Sequence, residues 1–197
     1  MTQTHRLPDL ALLTLKDPKA AADIILSWRL SKEAIWTAIA LVSVVITLFS
    51  TLSNIIMPVP TPLAVIVSNP FIYFVVAAGG FIATVYSVYW AGRFLGGQGQ
   101  INDLMVLLLW LQALRAVAQV VIIVAMILAP VLASFLVLFV AVATLWIFVQ
   151  FINAGLRLNS MLKALAALVI GAVALIVASS FLLSLLGVSA LGVSSNV

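Results

Sequence analysis

The chain has 197 residues, of which 65% are hydrophobic, with nine Lys or Arg against five Asp or Glu. Soluble domains hold about 25% charged and about 45–50% apolar residues, so this composition excludes an ordinary soluble protein and a disordered chain. The absence of cysteine excludes disulfides and thiolate metal sites. The sparse basic residues lie between apolar runs, which argues against nucleic-acid binding. The sequence predicts an all-α polytopic membrane protein.

The N-terminal segment, residues 1–33, contains nine of the 14 charged residues and is predicted to be cytoplasmic. Within it, an amphipathic helix is predicted at about residues 18–30, because Asp17 can cap it and Pro18 suits its first position. Such a helix either lies in the headgroup plane or packs under the ends of a bundle, and the pattern leaves both open. Its apolar face is formed by Ala21, Ile24, Ile25 and Trp28.

Beyond residue 33 the sequence consists of long apolar runs, each able to cross about 30 Å of hydrocarbon with roughly 20 helical residues. The runs are separated by three prolines from Pro58, a glycine turn at Gly96-Gly97-Gln98-Gly99, and Ala129-Pro130. The predicted five-helix bundle covers residues 34–187, and a short tail at 188–197 follows. The spans are predicted at about residues 34–57, 70–92, 102–129, 131–152 and 164–187.

The basic residues predict the orientation of these spans. In a five-span arrangement, all eight Lys and Arg residues outside the spans fall on one side, and three of them follow the N-terminal segment: Arg93, Arg157 and Lys163. The positive-inside rule makes that side cytoplasmic, so the C-terminus is expected in the periplasm if the membrane is a bacterial inner membrane.

Three features occur in an order that is typical of a known family. The amphipathic segment from Asp17 to Arg29 precedes the spans, the glycine turn is followed by Asn102-Asp103-Leu104, and a polar junction from Asn153 to Leu165 leads into the last span. With these features the chain resembles the Yip1-domain family, in its bacterial branch. The resemblance implies an integral protein of the bacterial inner (cytoplasmic) membrane.

Eukaryotic members of the Yip1-domain family bind Rab GTPases and one another, and they take part in vesicle traffic or membrane shaping. Those members carry a long cytoplasmic amino region and an Asp-Leu-Tyr-Gly-Pro type motif, and this chain has neither. The resemblance therefore does not imply Rab binding here.

Arg115 lies near the middle of the third predicted span, about 20 Å from either end. An arginine at that depth costs from about 2.5–3.5 to more than 10 kcal/mol, so we expect it to face the bundle interior or a partner. Gln112 and Gln119 share its helical face. No Asp or Glu lies inside any predicted span. Three interpretations stay open: amides and carbonyls satisfy Arg115 and hold helices in register, a partner protein contacts it, or a lipid or small anion binds there.

Two further patterns are candidate contact sites. A polar stripe at the cytoplasmic end of the fourth span, interpreted as a helix contact with a hydrated pathway as the alternative, consists of Gln150, Asn153 and Arg157. Small residues on one face of the fifth span let helix backbones approach closely, within the bundle or between copies. This candidate packing face consists of Ala164, Ala167, Gly171, Ala174 and Ala178.

The residues that support catalysis are scarce. The single histidine is His5, and the sequence assembles no metal-ligand cluster or Ser-His-Asp arrangement around it, so we predict no enzymatic activity and no cofactor. The leading hypothesis is a Yip1-like membrane protein that acts through helix contacts with membrane partners, other copies of itself, or lipids, in membrane organisation or a trafficking-like role. The alternative is a small transporter or channel for an anion or lipid, with Arg115 lining the path.

Overall fold

The computed structural model of the protein describes residues 6–56 and 69–185, and these residues form seven α-helices and no strand. The predicted all-α class is confirmed. His5, the proline run from Pro58 and the tail at 188–197 lie outside the described residues. The helices are α1 (Leu7–Lys16), α2 (Pro18–Ser27), α3 (Lys32–Ile56), α4 (Pro70–Phe94), α5 (Ile101–Leu128), α6 (Pro130–Leu156) and α7 (Met161–Leu185).

Helices α3 to α7 are the five predicted membrane spans. All five are long and apolar enough to cross a membrane, with mean hydropathy between 1.9 and 2.7. Helix α6 continues to Leu156, four residues beyond the predicted end, and α7 begins at Met161, three residues before the predicted start. The polar junction between these two helices is therefore shorter than the sequence predicted.

Local chemistry accounts for where the helices begin. Pro130 occupies the first position of α6, where its missing N–H has no helical partner to lose. The side chain of Asn69 caps α4 by accepting hydrogen bonds from the backbone N–H groups of Phe71 and Ile72, at 3.0 and 3.2 Å. Asp17 caps α2 in the same way, since its carboxylate accepts a hydrogen bond from the Ala20 N–H at 3.0 Å. The predicted start of this helix is confirmed.

The five long helices pack in an alternating up-and-down bundle. Helix α3 packs against α4 and α5, α5 packs against α6, and α7 packs against α4 and α6. The starts of α3, α5 and α7 meet the ends of α4 and α6 at one end of the bundle, which we call the basic end because eight of the nine Lys and Arg residues lie there. The opposite end is called the far end.

Packing is much tighter in the half of the bundle near the basic end. The largest fully buried side chains of the described residues all belong to this half, and they include Phe151, Leu107, Leu156 and Val88. Toward the far end, by contrast, large apolar side chains of α5 and α6 are mostly exposed, among them Ile127 and Phe135. Such exposure suits a surface in contact with lipid tails.

The N-terminal helices extend this packed half. Helix α2 packs on α5 and α6, with Ala21 and Ile25 buried, so its apolar face lies against the bundle, the second of the two predicted placements. Helix α1 was not predicted, and it packs against α2 and α6. The N-terminal residues carried a usable signal for it, because Pro8 and Asp9 stand in its first turn and Lys16 in its last.

Candidate functional site

A cavity of about 750 Å³ lies between α3, α4, α5 and α6, and the described residues enclose it only in part. Its volume falls in the range of small-molecule sites, roughly 300–1,000 Å³. Along α5 it extends from Gln112 to Ile122, ten residues or about 15 Å. At its other walls it reaches Ser53 and Tyr73, about one turn from the far ends of α3 and α4. The cavity thus runs from the middle of the bundle to the far end.

Short side chains leave this space open. Ala77 of α4, Ala116 of α5 and Ala141 of α6 all line the cavity, so three of its four walls carry a methyl group where a larger side chain would reach inward. Helices α3 and α6 each pack on α5, so these three walls of the cavity are held together by direct helix contacts. The cavity therefore results from the small side chains on its walls as well as from the directions of the helices.

Arg115 is the charged residue of this cavity. Its side chain is exposed toward the cavity, and its Nη1 donates a hydrogen bond to Oε1 of Gln112 at 3.3 Å. Gln119, one turn further along α5, lines the same wall. The structure thus places the predicted polar triad together, while its role stays a prediction. The buried hydroxyl of Thr47 on α3 donates a hydrogen bond to the backbone carbonyl of Ser43 on the same helix, at 2.8 Å.

The charge of Arg115 has no Asp or Glu side chain beside it among the described residues. All five Asp and Glu residues of the chain lie at positions 9–33 or at Asp103, and Asp103 is twelve residues from Arg115 along α5, or about 18 Å. A guanidinium has five N–H donors, and among the described residues one hydrogen bond to it is formed. Arg115 therefore retains most of its capacity to bind an anion.

Hydroxyl groups from the other three helices complete the polar part of the wall. The hydroxyl oxygen of Ser53 is buried and has no hydrogen-bond partner within the described residues. Such an unpaired polar atom costs about 1–3 kcal/mol, so a bound group that paired with it would be stabilised. Sequence reasoning missed these residues as a set, because they lie on three different helices. They are Ser50, Ser53, Tyr73 and Thr144.

The second polar region lies at the basic end, where the glycine turn docks on the end of α6. The backbone N–H groups of Gln98 and Gly99 both donate to the carbonyl oxygen of Leu156, at 2.9 and 3.0 Å. A Cβ atom at Gly99 would overlap the carbonyl oxygen of Gly155. The turn therefore requires glycine for close backbone approach, and its amide groups join helices here.

The predicted junction residues take part in the same assembly. The Asn153 side chain accepts a hydrogen bond from the backbone N–H of Ser160 at 3.1 Å, which ties the end of α6 to the start of α7. Arg157 adopts a left-handed backbone conformation, with φ of 52°, and its Nη2 lies 3.7 Å from Oδ2 of Asp103 on α5. Gln150 is half-buried one turn before Asn153. The contacts of Asn153 and Arg157 join α5, α6 and α7, while the role of the stripe stays a prediction.

The small-residue face of α7 divides into two parts. Ala164, Ala167 and Gly171 are buried, and a Cβ atom at Gly171 would lie 3.1 Å from the Cα atom of Val88 on α4. Beyond this point Ala174 and Ala178 are exposed. The half of the predicted face near the basic end thus packs inside the bundle, and the half near the far end is left on the surface of the described residues.

Charged side chains make the surface of the basic end polar. All eight Lys and Arg residues there are exposed, and eight positive against five negative side chains give a net charge of +3. Helix α1 adds exposed leucines, including Leu12 at 56% and Leu15 at 47% exposure. It is anchored by Thr14, which accepts a hydrogen bond from the indole N–H of Trp110 at 3.0 Å.

Five long apolar helices with a basic polar end define a multi-pass α-helical membrane protein. The family model described as the Yip1 domain matches residues 12–182, so the chain belongs to the Yip1 family. No curated protein and no solved structure gives a significant match. The matched range begins in α1 and ends in α7, and it includes the cavity and the basic end from residue 12 onward.

Proposed function

We propose that this Yip1-family protein is a non-enzymatic membrane protein that acts by binding lipids and other membrane proteins, and so organises the membrane around it. The observation that supports the proposal is the basic end, which carries both exposed cations and the exposed leucines of α1. The buried polar groups beneath this surface, such as Thr14 and the amides of the glycine turn, are used in joining helices. The surface itself is exposed among the described residues, and we propose that it binds the partners.

Orientation follows from the same charges. The positive-inside rule places the basic end in the cytoplasm and the far end in the periplasm of a bacterial inner membrane. The N-terminus is then cytoplasmic and the C-terminus periplasmic. Anionic lipids of the cytoplasmic leaflet attract each nearby Lys or Arg by about 1 kcal/mol.

Helix α1 is the element best suited to touch that leaflet. Leu10 and Thr14 face the bundle, while Leu12 and Leu15 face away from it beside Lys16. A helix that presents apolar and basic side chains together lies in the headgroup region. The exposed end of the α7 small-residue face, at Ala174 and Ala178, favours contact with a neighbouring membrane helix, from a partner or from a second copy.

A second candidate function is passage of an anion or lipid through the bundle. The cavity favours it, because Arg115 stands at the closed, central end of a polar wall that reaches the far end. The tight packing between the cavity and the basic end argues against a continuous path, since Leu104, Leu107 and Phe151 are all fully buried there.

Reconstitution into liposomes separates the two candidates. We expect anions and lipids to cross the membrane no faster than in protein-free vesicles. We also expect the protein to bind added vesicles or a membrane partner, and this binding should weaken when Lys16 and Lys19 are both changed to Gln. Flux well above the protein-free rate that disappears in Arg115→Gln would instead establish transport. Replacing Leu12 with Ser tests the role of α1, and Ile127→Ser, which adds no charge to the lipid-facing surface, serves as its control on an exposed apolar site.

A further inference from the structure

We infer that the cavity is a binding site for the headgroup of an acidic phospholipid, with Arg115 as the residue that binds its phosphate. The inference rests on the proposed action through lipids and narrows it to one site and one class of lipid. It is argued from the charge, the unpaired hydroxyl and the composition of the cavity wall.

The charge specifies an anion. A guanidinium near the middle of a membrane-spanning helix requires a counter-charge or water, and the chain supplies no carboxylate side chain near Arg115. Arginine binds phosphate through two parallel N–H···O hydrogen bonds. Arg115 can still form both, because it donates a single hydrogen bond, to Gln112, among the described residues. The ligand therefore carries an oxyanion.

A separate observation supports a ligand with further hydrogen-bonding groups. Ser53, on the α3 wall nearer the far end, has a buried hydroxyl oxygen with no partner among the described residues. Tyr73 and Thr144 add two more hydroxyls around the same space. A polar headgroup offers oxygens to such groups in addition to its phosphate.

The remaining wall specifies a lipid as the source of that oxyanion. Side chains such as Ile122, Val137 and Leu145 line the cavity beside the polar groups, and Val137 and Leu145 are about half exposed. Free phosphate would lie against these apolar side chains without gain, whereas an acyl chain packs on them. Because the cavity reaches the far end, the lipid enters from the leaflet at that end.

Native mass spectrometry of the delipidated protein tests the inference, with phosphatidylglycerol, phosphatidylcholine and inorganic phosphate as separate probes. We expect one phosphatidylglycerol molecule to bind in preference to phosphatidylcholine, with no competition from millimolar phosphate. Loss of a charge-assisted hydrogen-bonded pair weakens binding by about 10- to 100-fold, which is the change expected for Arg115→Gln.

Two matched controls separate the cavity from the basic end. Lys163→Gln removes an exposed charge at the basic end and is expected to leave this binding step unchanged. Ala116→Trp keeps Arg115 but fills the cavity, and it is expected to abolish binding. This variant tests the site independently if Arg115→Gln does not fold. Val117→Trp, on the lipid-facing side of the same helix, is expected to bind as the wild type does.

Three results would overturn the inference. The first is phosphatidylglycerol binding that is unchanged in Ala116→Trp. The second is a loss of phosphatidylglycerol affinity that is equal in Lys163→Gln and Arg115→Gln. The third is displacement of the lipid by inorganic phosphate, which would assign the site to the free anion. None of them bears on the basic end, so the proposed function would stand if membrane binding there still depended on Lys16 and Lys19.

Discussion

The two halves of this bundle use polar residues in opposite ways. Near the basic end, polar groups such as Thr14 and Asn153 are paired, and the largest fully buried apolar side chains lie in the same half. In the far half, Arg115 and Ser53 retain unused hydrogen-bonding capacity beside a cavity. The difference indicates that the basic half holds the fold together and that the far half is available to bind a ligand.

The largest expected effect concerns core packing. Phe151→Ala removes a fully buried ring from the basic half, and such truncations cost about 3–5 kcal/mol. Phe135→Ala removes a ring from the same helix that is 68% exposed in the far half, so its cost is expected to be below about 1 kcal/mol. Reversible unfolding in mixed micelles measures both. Equal losses would show that the far half is packed as tightly as the basic half.

The next largest effect concerns backbone approach. Gly99→Ala places a Cβ atom against the Gly155 carbonyl and displaces two hydrogen bonds to Leu156, with an expected loss of about 2–4 kcal/mol. Gly79→Ala is the matched control, because a Cβ atom at that helical position meets nothing within 4 Å. The control is expected to be neutral or stabilising. Wild-type stability in Gly99→Ala would mean that the turn is not docked on α6.

Helix positions in this protein could be predicted from sequence, because each break carries its own local chemistry. Pro130 and Asn69 act on the residues next to them, and hydrophobicity over 25 residues is an additive property of one segment. The shared face of Gln112, Arg115 and Gln119 was equally predictable, since it depends on the period of one helix.

The surroundings of that face could not be predicted in the same way. The cavity depends on Ser53, Tyr73 and Thr144 lining one space from three helices, and no periodicity within a single helix relates them. Helix α1 lies between these cases. Its proline, acidic and basic residues indicate a helix. The burial of its short apolar face could not be predicted, because that burial depends on packing against α6.

Smaller effects concern single hydrogen bonds. Thr14→Val removes the acceptor of the Trp110 indole and is expected to destabilise the protein by about 1 kcal/mol. Because this bond ties α1 to α5, amide hydrogen exchange across Leu7–Lys16 is expected to accelerate more than exchange in α7. Unchanged exchange in α1 would show that other contacts hold the helix.

The opposite sign is expected for a polar deletion in the far half. Ser53→Ala removes a buried hydroxyl that has no partner within the described residues, so in lipid-free detergent it is expected to raise stability by up to about 1 kcal/mol. Thermal unfolding measured side by side with Thr14→Val makes the comparison direct. A loss of stability in Ser53→Ala without lipid would mean that this hydroxyl already has a structural role.

Thiol accessibility tests the contrast between the halves most directly, because the wild-type chain has no cysteine and each introduced thiol is unique. Single cysteines at Ala116, Leu107 and Val117, all on α5, are treated with a charged, membrane-impermeant reagent on both sides of phosphatidylcholine liposomes. Only Ala116→Cys is expected to react, because the thiolate forms in a polar cavity and not in a packed core or in lipid. Phosphatidylglycerol is expected to slow this reaction, because it would occupy the same cavity. Ala116→Cys that is as unreactive as Leu107→Cys would contradict an open polar cavity in the far half.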